Sequence, residues 1–349
     1  MSWSRRRFLK AGGAVGAMSA IPPLPTTSSR EREPDRSAPG GATAELVFGG
    51  DFFLTEPLPG SWSGRTEQVA EVLRSSDLAA VNLENGLSTG GSAELGGFEY
   101  GSAIRGDPEL AREFPRLGID AVSLANNHTG NFGRKALFET IRAVESAGVA
   151  TCGAGADLHE AFAPAYVSAG ELEVALLSAY SFHERFLADD RASAGEAGIA
   201  CVRAVQSLLH QPGGYDTSGF AESPYRIAAR RPVPHEVMAP VSSDIVPLRE
   251  SLRAAADRAD LVVLSVHVHW GRHQRADLPA QQRSLAAYAL DAGADLVIGH
   301  GPHVLRGIEH AGGKICAYSL GNVALRPEGE GRGDSEADPT RQGALLRCL

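Results

Sequence analysis

The chain has no Gly-x-Ser-x-Gly, no Walker A sequence and no Gly-x-Gly-x-x-Gly after a strand. The first would present a serine nucleophile, and the other two would cradle phosphates at a helix N-terminus. A serine hydrolase and a nucleotide-binding enzyme therefore have no support. Cysteine is scarce too: Cys152, Cys201, Cys316 and Cys348, with no Cys-x-x-Cys among them. That excludes a zinc knuckle and a thioredoxin-type motif, and leaves either buried thiols or one of three disulfide connectivities. The net charge is −9 and no long basic cluster follows the N-terminal region, which argues against nucleic acid as a partner. Aromatic residues are only 6% of the chain.

What is present is enough for a large core. The chain has 349 residues, 43% of them apolar, and its 40 glycines predict many tight turns. Its start, Ser4-Arg5-Arg6-Arg7-Phe8-Leu9-Lys10, precedes a weakly apolar run rich in Gly and Ala. This resembles a twin-arginine export signal, and predicts an exported protein in the periplasm, the cell envelope or outside the cell. The run over 11–24 is shorter than the roughly 20 residues of a membrane span, so no transmembrane anchor is expected beyond the signal. Residues 1–41 are read as signal and linker, and 42–349 as the folded domain.

From residue 44 onward, strand and helix patterns alternate, which predicts an α/β domain with a largely parallel sheet. Strands are expected near 45–48, 78–83, 119–124, 149–151, 172–178, 260–266, 295–298, 314–318 and 343–349. Helices are expected near 65–74, 107–117, 134–147, 246–258 and 279–292. A hairpin turn is expected at 168–171, and no internal repeat is visible. Residues 182–243, rich in proline and glycine, read as an insertion, either a wall near the site or a solvated excursion.

The stretch 118–133, GIDAVSLANNHTGNFG, organises the rest. A short apolar strand runs into two amides and an imidazole, then into a glycine turn before a helix. Open α/β sheets put ligand sites at such carboxyl ends of strands. LVFGGD (46–51), LAAVNLE (78–84), LVVLSVHVH (261–269) and ADLVIGHGPH (294–303) end in the same way. Glu84 leaves a buried strand and needs a partner, because a buried lone carboxylate is costly. His267 and His269 share a strand face, and His300 and His303 flank Gly301-Pro302. Five strand ends carrying Asp, Glu, Asn and His predict one site for one or two divalent ions, with Mn, Fe or Zn suited better than Ca or Mg. A histidine beside such amides, His128, can protonate a leaving group.

In this order GGD (49–51), NLE (82–84), SLANNHTGNFG (123–133), VHWG (268–271), GADLVIGHGPHVLRGIE (293–309) and YSLGN (318–322) resemble the CapA-type capsule and poly-γ-glutamate synthesis family, within the calcineurin-like metallophosphoesterase superfamily. The resemblance covers about 44–325. It implies a four-layer α/β/β/α sandwich. It implies metal ligation by Asp51, Glu84, Asn127, His269, His300 and His303, with His128 as the acid. Asn126, Ser319 and Asn322 would be supporting or substrate-facing groups, and His267 is placed with them. The chain departs from the superfamily in three places. Asp51 is followed by Phe52-Phe53 instead of Asp-x-His, Gly301 replaces the middle histidine of GHHPH, and Asn131 stands where Asp is common.

Two functions are expected from this. One is an exported hydrolase in which a metal hydroxide attacks a phosphoester, or an amide of a glutamyl polymer, and His128 protonates the leaving group. The other is a non-catalytic accessory protein that binds an anionic polymer such as poly-γ-glutamate during synthesis or export. A tailoring enzyme acting on a small molecule is a third, since fold does not fix function.

Overall fold

The structure is a computed structural model that describes residues 43–58, 65–91, 103–183, 191–209, 235–269, 278–311, 313–323 and 342–349. The signal and linker, 1–41, lie outside the described residues. The described chain is a mixed α/β protein whose strands form two large sheets.

The first sheet has five strands: β1 (Leu46–Phe52), β2 (Leu78–Leu83), β5 (Ala121–Ser123), β6 (Ala150–Cys152) and β17 (Leu346–Cys348), in the order β17-β1-β2-β5-β6. β17 is antiparallel to β1 and the other pairings are parallel. The second has eight. β8 (Ala165–Ala169) and β9 (Leu172–His183) form the expected hairpin around Gly170. β9 also pairs in parallel with β11 (Cys201–Leu209) and β13 (Leu261–His269), and β11 carries β12 (His235–Pro240) at the edge. β14 (Leu296–His300), β16 (Lys314–Ala317) and β15 (Ile308–Ala311) complete it on the other side. Two short pairs stand apart, β3 (Gly86–Leu87) with β4 (Arg105–Gly106) and β7 (Ala154–Gly155) with β10 (Gly198–Ile199).

Strand alternation builds three cores. Leu46, Phe48, Leu78 and Ala121 of the first sheet pack against Val174, Leu176, Val263 and Leu296 of the second. Val47, Val81 and Val122 face the other way, onto Leu73, Phe114, Leu117 and Val144 of the helices Arg65–Ser75, Glu113–Leu117 and Gly133–Ser146. Ala175, Leu177, Val262 and Leu264 pack on Leu248, Leu252, Leu285 and Ala289 of the helices Ser242–Arg258 and Ala280–Ala292. All four cysteines are free thiols, three of them buried.

One device recurs at the amino ends of the parallel strands. Asp77, Asp120, Asp260 and Asp295 each precede a strand. Through Oδ2 each accepts the backbone N–H of the neighbouring strand, at Glu45, Ala79, Glu173 and Val262 respectively, over 2.8–3.0 Å. The same four aspartates donate their own N–H to the carbonyls of those residues at 2.8–2.9 Å. These two-way clamps fix the register, and register decides which side chains stand at the far, carboxyl ends.

Two expectations need correction. Residues 107–117 do not form one helix: Asp107 caps a 3-10 turn, Pro108–Arg112, before the α-helix Glu113–Leu117. Pro115 has no N–H to donate back to Ala111, so one continuous α-helical ladder is impossible. Residues 182–243 contribute two strands, β11 and β12, to the second sheet, while 210–234 lie outside the described residues.

Candidate metal centre

Asp51 lies near the end of β1, just past a break in register between Phe48 and Asp51. Gly49 and Gly50 form this bulge, which re-aims the side chain that follows. Gly50 is required by close approach, because an added Cβ would sit 2.0 Å from the Gly321 carbonyl oxygen. Asp51 Oδ1 accepts from Asn82 Nδ2 at 2.8 Å and Oδ2 accepts from the Gly301 N–H at 3.1 Å. Gly301 reaches that position at φ 103°, a conformation open to glycine.

Glu84 follows β2 and is fully buried, yet neither carboxylate oxygen has a hydrogen-bond partner among the described residues. His303 stands between the two acids. Its Nδ1 is 3.3 Å from Asp51 Oδ2 and 2.9 Å from Asn322 Oδ1, and its Nε2 is 3.5 Å from Glu84 Oε1. Its backbone is left-handed at φ 57°, a strained state for a residue with a Cβ. Asp51, Glu84 and His303 each offer a ligand atom, all within 4.8 Å of one another. His300 Nδ1 lies 3.5 Å from Asp51 Oδ1. His267 bridges the acids, with Nδ1 3.7 Å from Asp51 Oδ1 and Nε2 3.6 Å from Glu84 Oε1.

The electrostatics follow from these contacts. Burial works to raise the Asp51 pKa, but the His303 hydrogen bond and attraction to the surrounding imidazoles, of which His303 carries the charge, overturn it and hold the carboxyl below its usual range. Glu84 lacks such donors, and burial and then Asp51 push it well above the ordinary value. Burial opposes the charge on His303, but Glu84 and Asp51 win and push it up to about 10. Burial lowers His267 and His300, which stay neutral.

The donor set fits a divalent cation. Both Glu84 oxygens, Asn127 Oδ1 and His300 Nδ1 are buried without a hydrogen-bond partner. All can act as lone-pair donors, and no N–H or O–H among the described residues satisfies them. Buried polar groups are seldom left so, and a cation held between Asp51, Glu84 and His303 would satisfy the Glu84 carboxylate.

The strand ends thus bring Asp51, Glu84, His267, His300, His303 and Asn322 together. His269 closes β13, but its side chain lies outside the described residues. Asn126 is buried and shapes the loop: Oδ1 accepts from the N–H groups of His128 and Thr129, and Nδ2 donates to Leu83 O and Asn82 Oδ1. Ser319, expected as a supporting or substrate-facing group, is buried, and its Oγ accepts from the Gly321 N–H. Sequence reasoning gave no role to Asn82, although a polar residue inside LAAVNLE was a visible signal. It also left Asn131 without a partner. Asn131 Oδ1 lies 2.8 Å from His128 Nδ1, and Phe53 packs its ring 6.5 Å from His128 and 6.1 Å from His303.

The profile of the family described as bacterial capsule synthesis protein PGA_cap matches residues 45–326. The chain belongs to this family. Every residue of the centre falls inside the matched span. A twin-arginine translocation signal profile matches residues 4–22, so the chain carries an export signal. No helix among the described residues is long and apolar enough to cross a membrane.

Among its relatives, a probable polyglutamine synthesis accessory protein of Mycobacterium tuberculosis is 29% identical over 282 residues, 80% of this chain and 64% of that protein. The PGA biosynthesis protein CapA of Bacillus subtilis is 25% identical, covering 80% of this chain and 60% of its own length. Uncharacterized protein y4sH of Sinorhizobium fredii is 27% identical, covering 79% and 65%. The chain therefore spans somewhat less than two thirds of the length of these relatives.

Proposed function

We propose that this protein is an exported, metal-dependent hydrolase acting in the metabolism of a capsule polymer such as poly-γ-glutamate, on a phosphoester or an amide. In this reading the two sheets and their helices form a four-layer α/β/β/α sandwich, which the three cores support. The proposal rests on one observation above all: Glu84, fully buried beside Asp51 and His303, has no hydrogen bond to either oxygen. Asp51, Glu84 and His303 would hold one ion, with His300, Asn127 and His269 as further ligands. Bound Mn, Fe or Zn would supply Lewis acidity toward a phosphoryl or carbonyl oxygen and a nucleophile at neutral pH.

The chain's own groups handle orientation and the proton. Asn131 Nδ2 donates to Asn127 O and its Oδ1 accepts from the Ile104 N–H, which fixes the amide's orientation. His128 Nδ1 therefore keeps its proton and donates a hydrogen bond to Asn131 Oδ1, leaving Nε2 as the atom that exchanges a proton with the leaving group. Burial lowers the His128 pKa, so the ring rests neutral and must first accept the proton that it later donates.

The test is metal analysis of the purified protein, then a screen of phosphodiesters, phosphomonoesters and γ-glutamyl amides with Mn added. Near-stoichiometric metal is expected, with a His128→Gln variant that keeps its metal and loses roughly 10²- to 10⁴-fold in rate. Protein without metal or turnover that still binds the polymer would leave the accessory role. One observation favours that second reading: Phe53, against His128 and His303, puts an apolar ring beside the centre where a ligand could otherwise stand.

A further inference from the structure

Asn82 lies within β2, fully buried, and belongs to none of the groups assigned above to metal or proton transfer. Its amide touches four side chains. Oδ1 accepts from Ser123 Oγ at 3.1 Å and from Asn126 Nδ2 at 3.2 Å. Nδ2 donates to Asp51 Oδ1 at 2.8 Å and faces His267 Nδ1 at 3.3 Å. Which end is nitrogen follows from backbone groups that cannot flip. The N–H groups of His128 and Thr129 both point at one atom of the Asn126 amide, which must be its oxygen. The other end donates to the Leu83 carbonyl, and so also donates to Asn82. The Asn82 atom that receives this bond is therefore its oxygen, and its nitrogen faces Asp51 and His267. A carboxylate beside that nitrogen agrees, because an ionised Asp51 only accepts.

We propose that Asn82 is the positioning residue of the centre: its amide sets the Asp51 carboxylate and holds His267 as the tautomer with its proton on Nε2, directed at Glu84. A neutral imidazole has one donor and one acceptor. An amide N–H pointed at Nδ1 makes Nδ1 the acceptor, so the proton sits on Nε2, 3.6 Å from Glu84 Oε1. An imidazolium carries a proton on both nitrogens and would set Nδ1–H against the amide N–H, so this contact itself calls for the neutral ring. His267 then acts as a donor toward a ligand and is not itself a ligand through Nδ1. One amide thereby sets Asp51 directly and turns the His267 Nε2–H toward Glu84. Such outer partners typically change metal affinity 10–100-fold when removed.

The assignment of both acids as ligands rests on the hydrolase reading, but the tautomer does not. The experiment is long-range ¹H–¹⁵N NMR on histidine-labelled, EDTA-treated full-length protein, with His267 assigned by His267→Gln, alongside Zn²⁺ titration calorimetry. Wild type is expected to show the Nε2–H form at His267. Asn82→Asp keeps an acceptor toward Asn126 and Ser123 but turns an acceptor toward His267. It should move the proton to Nδ1 and weaken Zn²⁺ binding 10- to 100-fold, while Asn82→Ala weakens it as much with both forms present. An Nδ1–H His267 in wild type overturns the proposal, and needs no variant that folds. A folded Asn82→Ala with wild-type tautomer and Zn²⁺ affinity within twofold overturns it as well. Wild type that binds no Zn²⁺ or Mn²⁺ overturns the hydrolase reading, and the tautomer still decides the role of Asn82.

Discussion

Glu84 should be a liability to the metal-free protein and an asset only when a cation is present. The perturbation is Glu84→Gln, nearly isosteric and neutral. In metal-free protein Glu84 can escape its cost by holding a proton, which at pH 7 against the reference pKa of 4.5 costs at most about 3.4 kcal/mol. Where Glu84 instead stays ionised, attraction to the charged His303 offsets part of the cost of its burial. A gain of about 1–3 kcal/mol from the substitution is therefore expected, within the usual cost of an unsatisfied buried polar group. For a domain of this size that is a rise in Tm of about 2–8 °C. The assay is thermal unfolding of both proteins after EDTA treatment, then with Zn²⁺ or Mn²⁺ added. Metal at 1,000 times its wild-type Kd should stabilise wild type by about 4.1 kcal/mol and the variant far less, so the order of the two reverses. A lower Tm for metal-free Glu84→Gln would refute the reasoning, since it would mean that the carboxylate has partners.

Two further outcomes follow from particular contacts. Gly50→Ala drives a Cβ to 2.0 Å from the Gly321 carbonyl oxygen, backbone against backbone. Urea unfolding should show a loss of about 3 kcal/mol, whereas Gly195→Ala, which meets nothing within 4 Å, should be near neutral. Asp244 accepts from Arg203 Nε at 2.6 Å and Nη2 at 2.8 Å. Burial works to raise its pKa, but these bonds prevail and lower it. The stability it contributes is thus complete above the unfolded value near 3.8 and fades as pH falls through the lower folded value. Asp244→Asn should cost about 1.5–3 kcal/mol at pH 7 and remove that loss on the acid limb of a stability–pH curve.

The parts of this site legible in the sequence were those where local pattern and chemistry coincide. An apolar run that ends in Asp51, Glu84 or His300 shows both the strand and its polar tip. The helix Gly133–Ser146 was visible from its period, and Asp107 from its capping position. What stayed hidden depends on pairing across long separations. β11 and β12 border a segment dense in proline and glycine, and only their pairing with β9 and with each other makes strands of them. Asp120, Asp260 and Asp295 read only as members of the expected strands 119–124, 260–266 and 295–298, and Asp77 as the residue before 78–83. Their common role appears once the neighbouring strand is known. Asn131 carries no mark of its bond to His128, and the orientation of Asn82 emerges only through Asn126 and two backbone amides.

The centre also joins the two sheets, and this gives metal a second role open to measurement. Asp51 and Glu84 come from the first sheet, while His300, His303 and the Gly301 amide come from the carboxyl end of β14 and the loop after it, in the second. Like charge is gathered on one sheet and basic nitrogen on the other. Attraction at this end is therefore between sheets, beyond the apolar core that they share. The opposite end is held by the aspartate clamps, which act within each sheet and owe nothing to a cation. Zn²⁺ or Mn²⁺ at 100 times its Kd should therefore slow hydrogen exchange of the Gly301 amide by about 100-fold where exchange needs the site to open. The amides of Ala79 and Val262, held by Asp120 and Asp295, exchange by local opening at the far end and should change little. If all three slowed by the same factor, the ion would be stabilising the whole fold without bridging the sheets there, and this account of its position would be wrong.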